Sequence, residues 1–256
     1  MRKRIDFNCD LGEGCGDDAA IAPWISSASI ACGGHAGDAA SMRRTVALCL
    51  EHGVGIGAHP GFEDRAHFGR REFPITPEGA RQLVRRQTEA LAEAAARAGA
   101  ALHHVKPHGA LYNLAARDAA IAEAIADAVH GIDAELWLYA LAGSRLVHAG
   151  RAAGLRVAPE AFAERRYAPD AQLASRDLEG AVIEGLEPAL AQVRAMLHER
   201  AVPAIDGSRV SIEAGTLCLH GDRENAAAFA RALRTALEAD GIIVAAPGQH
   251  DPAPDQ

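Results

Sequence analysis

Apolar residues along the chain fall into two alternating patterns. Short runs at 5–9, 29–32, 54–58, 102–106, 136–140, 155–158 and 216–220 are each followed by Gly and polar residues, and then by a stretch with helical periodicity. Residues 242–246 form an eighth candidate strand. The clearest helix begins at Thr76 and Pro77, which supply an N-cap and a first-turn proline; Leu83, Val84, Leu91, Ala95 and Ala98 share one face, and Gly99 stands where a left-handed C-terminal residue belongs. Asp38 is placed to cap a second helix that carries Met42, Val46 and Leu50 and ends at Gly53. Asp222 is placed to cap a third, with Phe229, Leu233 and Leu237, ending at Gly241. Strand, polar cluster and helix in repetition are the signature of βα units around a parallel sheet. Six or seven such units without a long interruption predict a barrel or an open doubly wound sheet, both of which bind ligands at the carboxyl ends of their strands. Neither G-x-G-x-x-G nor G-x-x-x-x-G-K-[ST] occurs, which removes the commonest reasons for an open nucleotide-binding sheet. The expected fold is therefore α/β, a parallel (β/α) barrel in an irregular seven-stranded variant.

Composition narrows the setting. With 256 residues, 49% of them hydrophobic, the chain can bury one substantial core, expected over 1–246 as a single domain. Residues 247–256 are Pro-rich and polar and are expected to be a flexible tail. A formal net charge of -8, without a basic stripe beyond Arg70-Arg71 and Arg85-Arg86, argues against a nucleic-acid partner. No apolar run of membrane-spanning or signal-peptide type is visible, and the five cysteines show no CxxC spacing. The expectation is a cytoplasmic protein with no membrane partner.

Candidate chemistry sits in the polar clusters. At the end of the first run, Asp6, Asn8 and Asp10 fall on one face by strand alternation, with Glu13 just beyond, and buried carboxylates there need a cation, a metal or a ligand. His35 lies among Gly33, Gly34 and Gly37 ahead of a helix start, where close backbone approach and free N–H groups suit an anion. His59 occupies a similar position in GAHPGF, and Arg70 or Arg71 beyond it can grip a carboxylate in a two-pronged bond. The densest cluster, HVKPHGALYN, offers Lys106 as an electrostatic partner for a developing oxyanion, His108 as acid, base or ligand, and Tyr112 and Asn113 as hydrogen-bond donors. Two later clusters are EAFAERRY and CLHGD, the latter carrying His220. Each motif alone is compatible with an ordinary turn or helix cap. Together they place His or Asp at the ends of at least five predicted strands, which converge if the barrel forms. A metal site and a metal-free acid/base site both fit, since no H-E-x-x-H or C-x-x-C spacing decides between them. The absence of G-x-S-x-G disfavours a serine triad, and Cys9 and Cys32 inside predicted strands suit packing.

The strings DFNCDLGEG, SIACGGHAGD, GAHPGF with FGRR, HVKPHGALYN, EAFAERRY and CLHGD, in this order over about 5–246, closely resemble the LamB/YcsF family, that of the 5-oxoprolinase A subunits. The resemblance implies a barrel similar to that of the polysaccharide deacetylase and glycoside hydrolase superfamily. It also implies a part in ATP-dependent cleavage of 5-oxo-L-proline to L-glutamate, with Mg-ATP as cosubstrate and subunits B and C as partners. Residues 172–183 depart from the family pattern, which bears on partner contacts. On this reading Asp10, His59, Lys106, His108 and His220 are catalytic candidates: Lys106 faces the amide oxygen, Asp10 or His59 serves as base, and His108 or His220 as acid. Asn8, Glu13, His35, Arg70, Tyr112 and Asn113 are substrate-binding candidates. The alternatives are a stand-alone metal-dependent deacetylase or amidohydrolase and, from another class, a non-catalytic carbohydrate or small-acid binder.

Overall fold

The computed structural model describes residues 3–175, 177–219 and 225–249. Ten strands lie in chain order: β1 (Arg4–Leu11), β2 (Ser27–Ala31), β3 (Gly55–His59), β4 (His104–Val105), β5 (Trp137–Leu141), β6 (Arg156–Phe162), β7 (Ala201–Pro203), β8 (Arg209–Ser211), β9 (Thr216–Leu219) and β10 (Ile243–Val244). Parallel pairing runs β1-β2-β3-β4-β5-β6-β9 and returns from β9 to β1, so seven strands close into a barrel. The eighth candidate strand is no stave. β10 pairs only with the first residues of β1, Arg4 and Ile5, beyond the end of β9 on the same edge.

The helices are α1 (Asp18–Ile21), α2 (Ala39–His52), α3 (Pro77–Arg97), α4 (Gly109–Arg117), α5 (Ala119–Ile132), α6 (Arg145–Ala152), α7 (Leu186–Glu199) and α8 (Ala226–Ala239). α3 starts as expected, with Thr76 accepting from the Gly79 N–H and Pro77 in the first turn. α2 is closed at its start by a reciprocal capping box between Asp38 and Ser41 and at its end by Gly53 in the left-handed conformation. α8 begins at Ala226 behind Asn225, while the expected cap Asp222 lies outside the described residues.

The staves are buried on both faces, but by different chemistry. Outward-facing Cys9, Leu11, Ala28, Ile30, Ile56, Ala58, Val105, Leu138 and Ala140 pack with α2, α3 and α5 in one apolar cluster. Ile5, Phe7, Ala161, Leu217 and Leu219 pack with α7 and α8 in another. The hydrophobic core is thus a ring between strands and helices. Inward-facing Asp6, Asn8, Ser27, Ser29, His59, His104, Lys106, Glu160 and Thr216 are also buried, which makes the lumen polar and obliges every group in it to find a partner.

One expectation fails here. The barrel has one long interruption: between β6 and β9 the chain runs through a loop closed by the Arg165–Val182 and Tyr167–Leu173 bridges, then α7, then the antiparallel hairpin β7–β8. The first residues of the expected tail make two backbone contacts. His103 Nε2 donates to the Pro247 carbonyl at 2.8 Å, and Arg4 donates to that of Gln249 at 2.6 Å. The rest of the tail, 250–256, lies outside the described residues.

Candidate active site

Polar side chains form two storeys in the lumen. In the lower one, the Asp6 carboxylate accepts from Ser26 Oγ at 2.7 Å, Ser27 Oγ at 2.7 Å and Thr216 Oγ1 at 2.6 Å. Tyr139 stacks on His104 with centroids 4.0 Å apart, and its hydroxyl donates to Ser27 Oγ. His104 Nε2 meets Ser29 Oγ at 3.2 Å, and a Cβ at Gly57 would come within 2.1 Å of that ring, so only glycine fits opposite it. Burial pushes the Asp6 carboxyl up, against the hydroxyl bonds that lower it, and pushes the His104 imidazole well down.

The upper storey lies at the carboxyl ends of the strands and carries charge. Lys106 reaches Asp10 Oδ1 at 2.6 Å and Glu160 Oε1 at 3.1 Å. It also donates to Asn8 Oδ1 at 2.9 Å, while Asn8 Nδ2 donates to Glu160 and Thr216. Tyr112 donates to Glu160 Oε2 at 2.6 Å. Burial works against the Lys106 charge, but Asp10 and Glu160 outweigh it and hold the ammonium well above its ordinary pKa. Burial likewise opposes Asp10, whose carboxyl is held well below the usual range by the charges of His59 and Lys106. The Cys218 thiol, 3.5 Å from Lys106 Nζ, is pushed well up by burial despite that cation, so it stays a thiol.

Beside Asp10 stand the imidazoles. His59 Nε2 lies 3.2 Å from Asp10 Oδ2, His108 Nδ1 lies 2.9 Å from His59 Nε2, and His35 Nε2 meets Glu13 Oε1 at 2.9 Å. His35 and His108 are stacked, with centroids 3.6 Å apart. Burial, with His59 next, lowers both rings, His35 to about 3 and His108 to about 2, so these two are neutral. A neutral His108 is no proton donor at Nδ1, because its single ring proton goes from Nε2 to the Phe68 carbonyl. Glu13, His35, His59 and His108 offer donor atoms within 4.8 Å of one another, the one such metal-competent group among the described residues.

Local sequence explains the convergence. Gly12 and Gly14, both at positive φ, turn the chain after β1 so that Glu13 folds back over the barrel mouth. Gly34 does not serve ligand approach, as a Cβ there would strike the Gln87 side chain and the Gly61 carbonyl, each at 2.6 Å. Gln87 of α3 in turn bonds both backbone groups of Gly61, which locks the loops after β2 and β3 together. The free N–H groups expected at the start of α2 are likewise taken, by the Asp38 side chain.

The upper storey opens into a cleft of about 270 Å³ lined by Asp10, Glu13, His59, Arg70, Lys106, Pro107, His108, Tyr112, Asn113, Glu160, Arg165 and Cys218, among others. This is at the small end of the ~300–1,000 Å³ typical of ligand sites, so a small substrate fits best. Of the expected residues, Asp10, Glu13, His59, Arg70, Lys106, His108, Tyr112 and Asn113 reach it. Asn8 and His35 do not: Asn8 stands behind Lys106, and His35 behind His108. Arg71 turns to the Phe73 ring, which leaves Arg70 as the cleft arginine of the pair. His220 lies outside the described residues. Sequence reasoning passes over Glu160 and Arg165, whose only signal is the EAFAERRY string after β6.

A closed parallel barrel with a buried Lys-carboxylate centre and clustered imidazoles at the carboxyl ends of its strands is the architecture of a barrel enzyme. The LamB/YcsF family profile matches residues 5–251, and the chain belongs to that family. It is 52% identical to the 5-oxoprolinase A subunit of Bordetella pertussis over 251 residues, which cover 96% of this chain and all of that protein. With the protein of the same name from Geobacillus kaustophilus it shares 49% identity over 97% of this chain and 99% of that one. The crystal structure of a lactam utilization protein from Thermus thermophilus superposes with a TM-score of 0.90 at 44% identity, covering 95% of this chain and 99% of the other.

Proposed function

We propose that this chain is the A component of an ATP-dependent 5-oxoprolinase, which opens 5-oxo-L-proline to L-glutamate together with subunits B and C. The single observation that carries the reading is Lys106, a fully buried ammonium kept charged by Asp10 and Glu160 at the floor of a small cleft. Its support from relatives is the name shared by full-length proteins at about half identity.

A five-membered lactam resists hydrolysis because its amide is resonance-stabilised and amine is a poor leaving group. Phosphoryl transfer from ATP to the amide oxygen removes both obstacles. Water then adds to the activated carbon and the C–N bond breaks as nitrogen takes a proton; a second water releases phosphate from the acyl phosphate left behind. Lys106 is placed to stabilise negative charge on the oxygen side. Asp10, held ionised, is placed to accept the proton of water. Arg70, at the cleft wall, suits the substrate carboxylate. Tyr112 stays protonated, through burial first and Glu160 next, and remains a donor. His108 or His220 gives the proton to nitrogen.

The test is glutamate release from 5-oxo-L-proline by the purified chain, with and without Mg-ATP and with and without subunits B and C. Release that requires both additions supports the reading. Release by the chain alone without ATP supports a stand-alone amidohydrolase instead, and binding without release in every mixture supports the non-catalytic reading.

A further inference from the structure

We propose that Glu13, His35, His59 and His108 bind one divalent transition-metal ion of the zinc class, at the wall of the cleft beside Asp10 and Lys106. The inference goes beyond the 5-oxoprolinase reading and does not depend on it.

The geometry fixes where the imidazole protons are. His59 Nδ1 lies 2.7 Å from the Lys106 carbonyl, and His108 Nε2 lies 2.8 Å from that of Phe68. A carbonyl only accepts, so each ring donates there, which leaves His59 Nε2 and His108 Nδ1 as the atoms that can ligate a metal once a proton on His59 Nε2 is displaced. Those two atoms face each other at 2.9 Å. Glu13 Oε1 is 3.4 Å from the second and 3.9 Å from the first, and 2.9 Å from His35 Nε2. Four potential ligand atoms converge, and protons on His35 Nε2 and His59 Nε2, or a bound cation, must hold them together. A proton reconciles two of them. A metal would engage all four: with bonds of ~2.0–2.1 Å, tetrahedral ligand atoms stand about 3.3 Å apart, inside the range of 2.9 Å up to 4.8 Å that bounds these atoms.

The supports behind the rings are those that ligand histidines use. Backbone carbonyls hold two of them in one tautomer and one orientation. Phe68 is a bulky residue at φ 55°, an unfavourable conformation that aims its carbonyl at His108. Gly69 follows because a Cβ there would come within 2.7 Å of His35 Cβ. Three imidazoles and one carboxylate suit a borderline ion such as zinc or cobalt, whereas magnesium and calcium take oxygen cages. Glu13, His59 and His108 line the cleft, so a bound ion would face whatever occupies it.

The experiment strips the full chain with a chelator, titrates it with Co²⁺ and follows visible absorption, with metal content measured after gel filtration. About one cobalt per chain is expected, with intense tetrahedral d–d bands and no thiolate charge-transfer band. His59→Asn should abolish these bands. Glu13→Gln, which keeps the shape of the side chain, should weaken uptake by roughly 10- to 100-fold. His130→Ala, on the exposed side of α5, should change nothing. A wild-type chain that takes up no cobalt, uptake that survives both site substitutions in chains with native circular dichroism, or a thiolate band would each overturn the proposal.

Discussion

The two storeys of the barrel lumen are made of similar residues and do opposite things. Both bury a carboxylate, a histidine and a tyrosine inside the same ring of strands. In the lower storey Asp6 is surrounded by Ser26, Ser27 and Thr216, which donate to it without bringing any charge, and burial wins: the carboxyl is raised toward its neutral form. In the upper storey Asp10 faces Lys106 and His59, and charge wins over burial: the carboxyl is held ionised. The lower groups are satisfied among themselves and closed off. The upper ones keep charge and lone pairs available at the rim of a cleft. Chemistry in a buried polar lumen is thus marked by what its partners leave unsatisfied rather than by residue type.

Lys106→Met breaks the comparison most severely. It leaves Asp10 and Glu160 buried without their cation, at an expected cost of about 3–5 kcal/mol read by denaturant unfolding. In the reconstituted enzyme, turnover should fall by roughly 10³ or more, the scale of lost electrostatic stabilisation. Gly57→Ala attacks the lower storey sterically: its Cβ would overlap the His104 ring, and a loss of about 3 kcal/mol or failure to fold is expected. Glu160→Gln keeps the shape of the Tyr112 and Asn8 contacts but removes one of the two charges on Lys106. A fall in kcat of roughly tenfold, with little change in thermal midpoint, would show Glu160 to be a positioning residue.

Asp6→Asn sharpens the contrast through pH. A carboxyl raised in the folded state stabilises the fold fully below its unfolded pKa and loses that contribution as pH climbs through the raised value. The wild-type thermal midpoint should therefore decline as pH rises above the ordinary carboxylate range, and Asp6→Asn should flatten that decline. Thr76→Ala, far from both storeys, should cost only about 1 kcal/mol as a lost helix cap, with turnover unchanged.

Much of this architecture was legible in the sequence, and the residues show why the rest was not. Alternation in β1 put Asp6, Asn8 and Asp10 on one face, and all three do point into the lumen. The helices α2 and α3 announced themselves through caps and one-sided faces. α5 did not, although it too is one-sided: its buried face of Ile121, Ala122, Ala124, Ile125, Ala126, Ala128 and Val129, packed against α3 and α6, is more than half alanine, which marks a face only weakly. The hairpin β7–β8 has strands of three residues, too short to carry a period. At the site, residues that follow strand ends directly, Asp10, His59, Lys106 and His108, were visible by position. Glu160 was not, because a lone Glu within an apolar run says nothing of the Lys106, Asn8 and Tyr112 it meets across the barrel. The split of Asn8 and His35 from the cleft-lining residues also depends on depth in the lumen, which spacing does not encode.

The most direct measurement sets the two storeys against each other: glutamate release from 5-oxo-L-proline by Asp10→Asn and Asp6→Asn chains, each reconstituted with subunits B and C and Mg-ATP. A loss of roughly 10²- to 10⁴-fold in the first, with the second within a few-fold of wild type, is the predicted result. Equal losses in both, or near-wild-type release from Asp10→Asn, would contradict the assignment of the reaction to the upper storey.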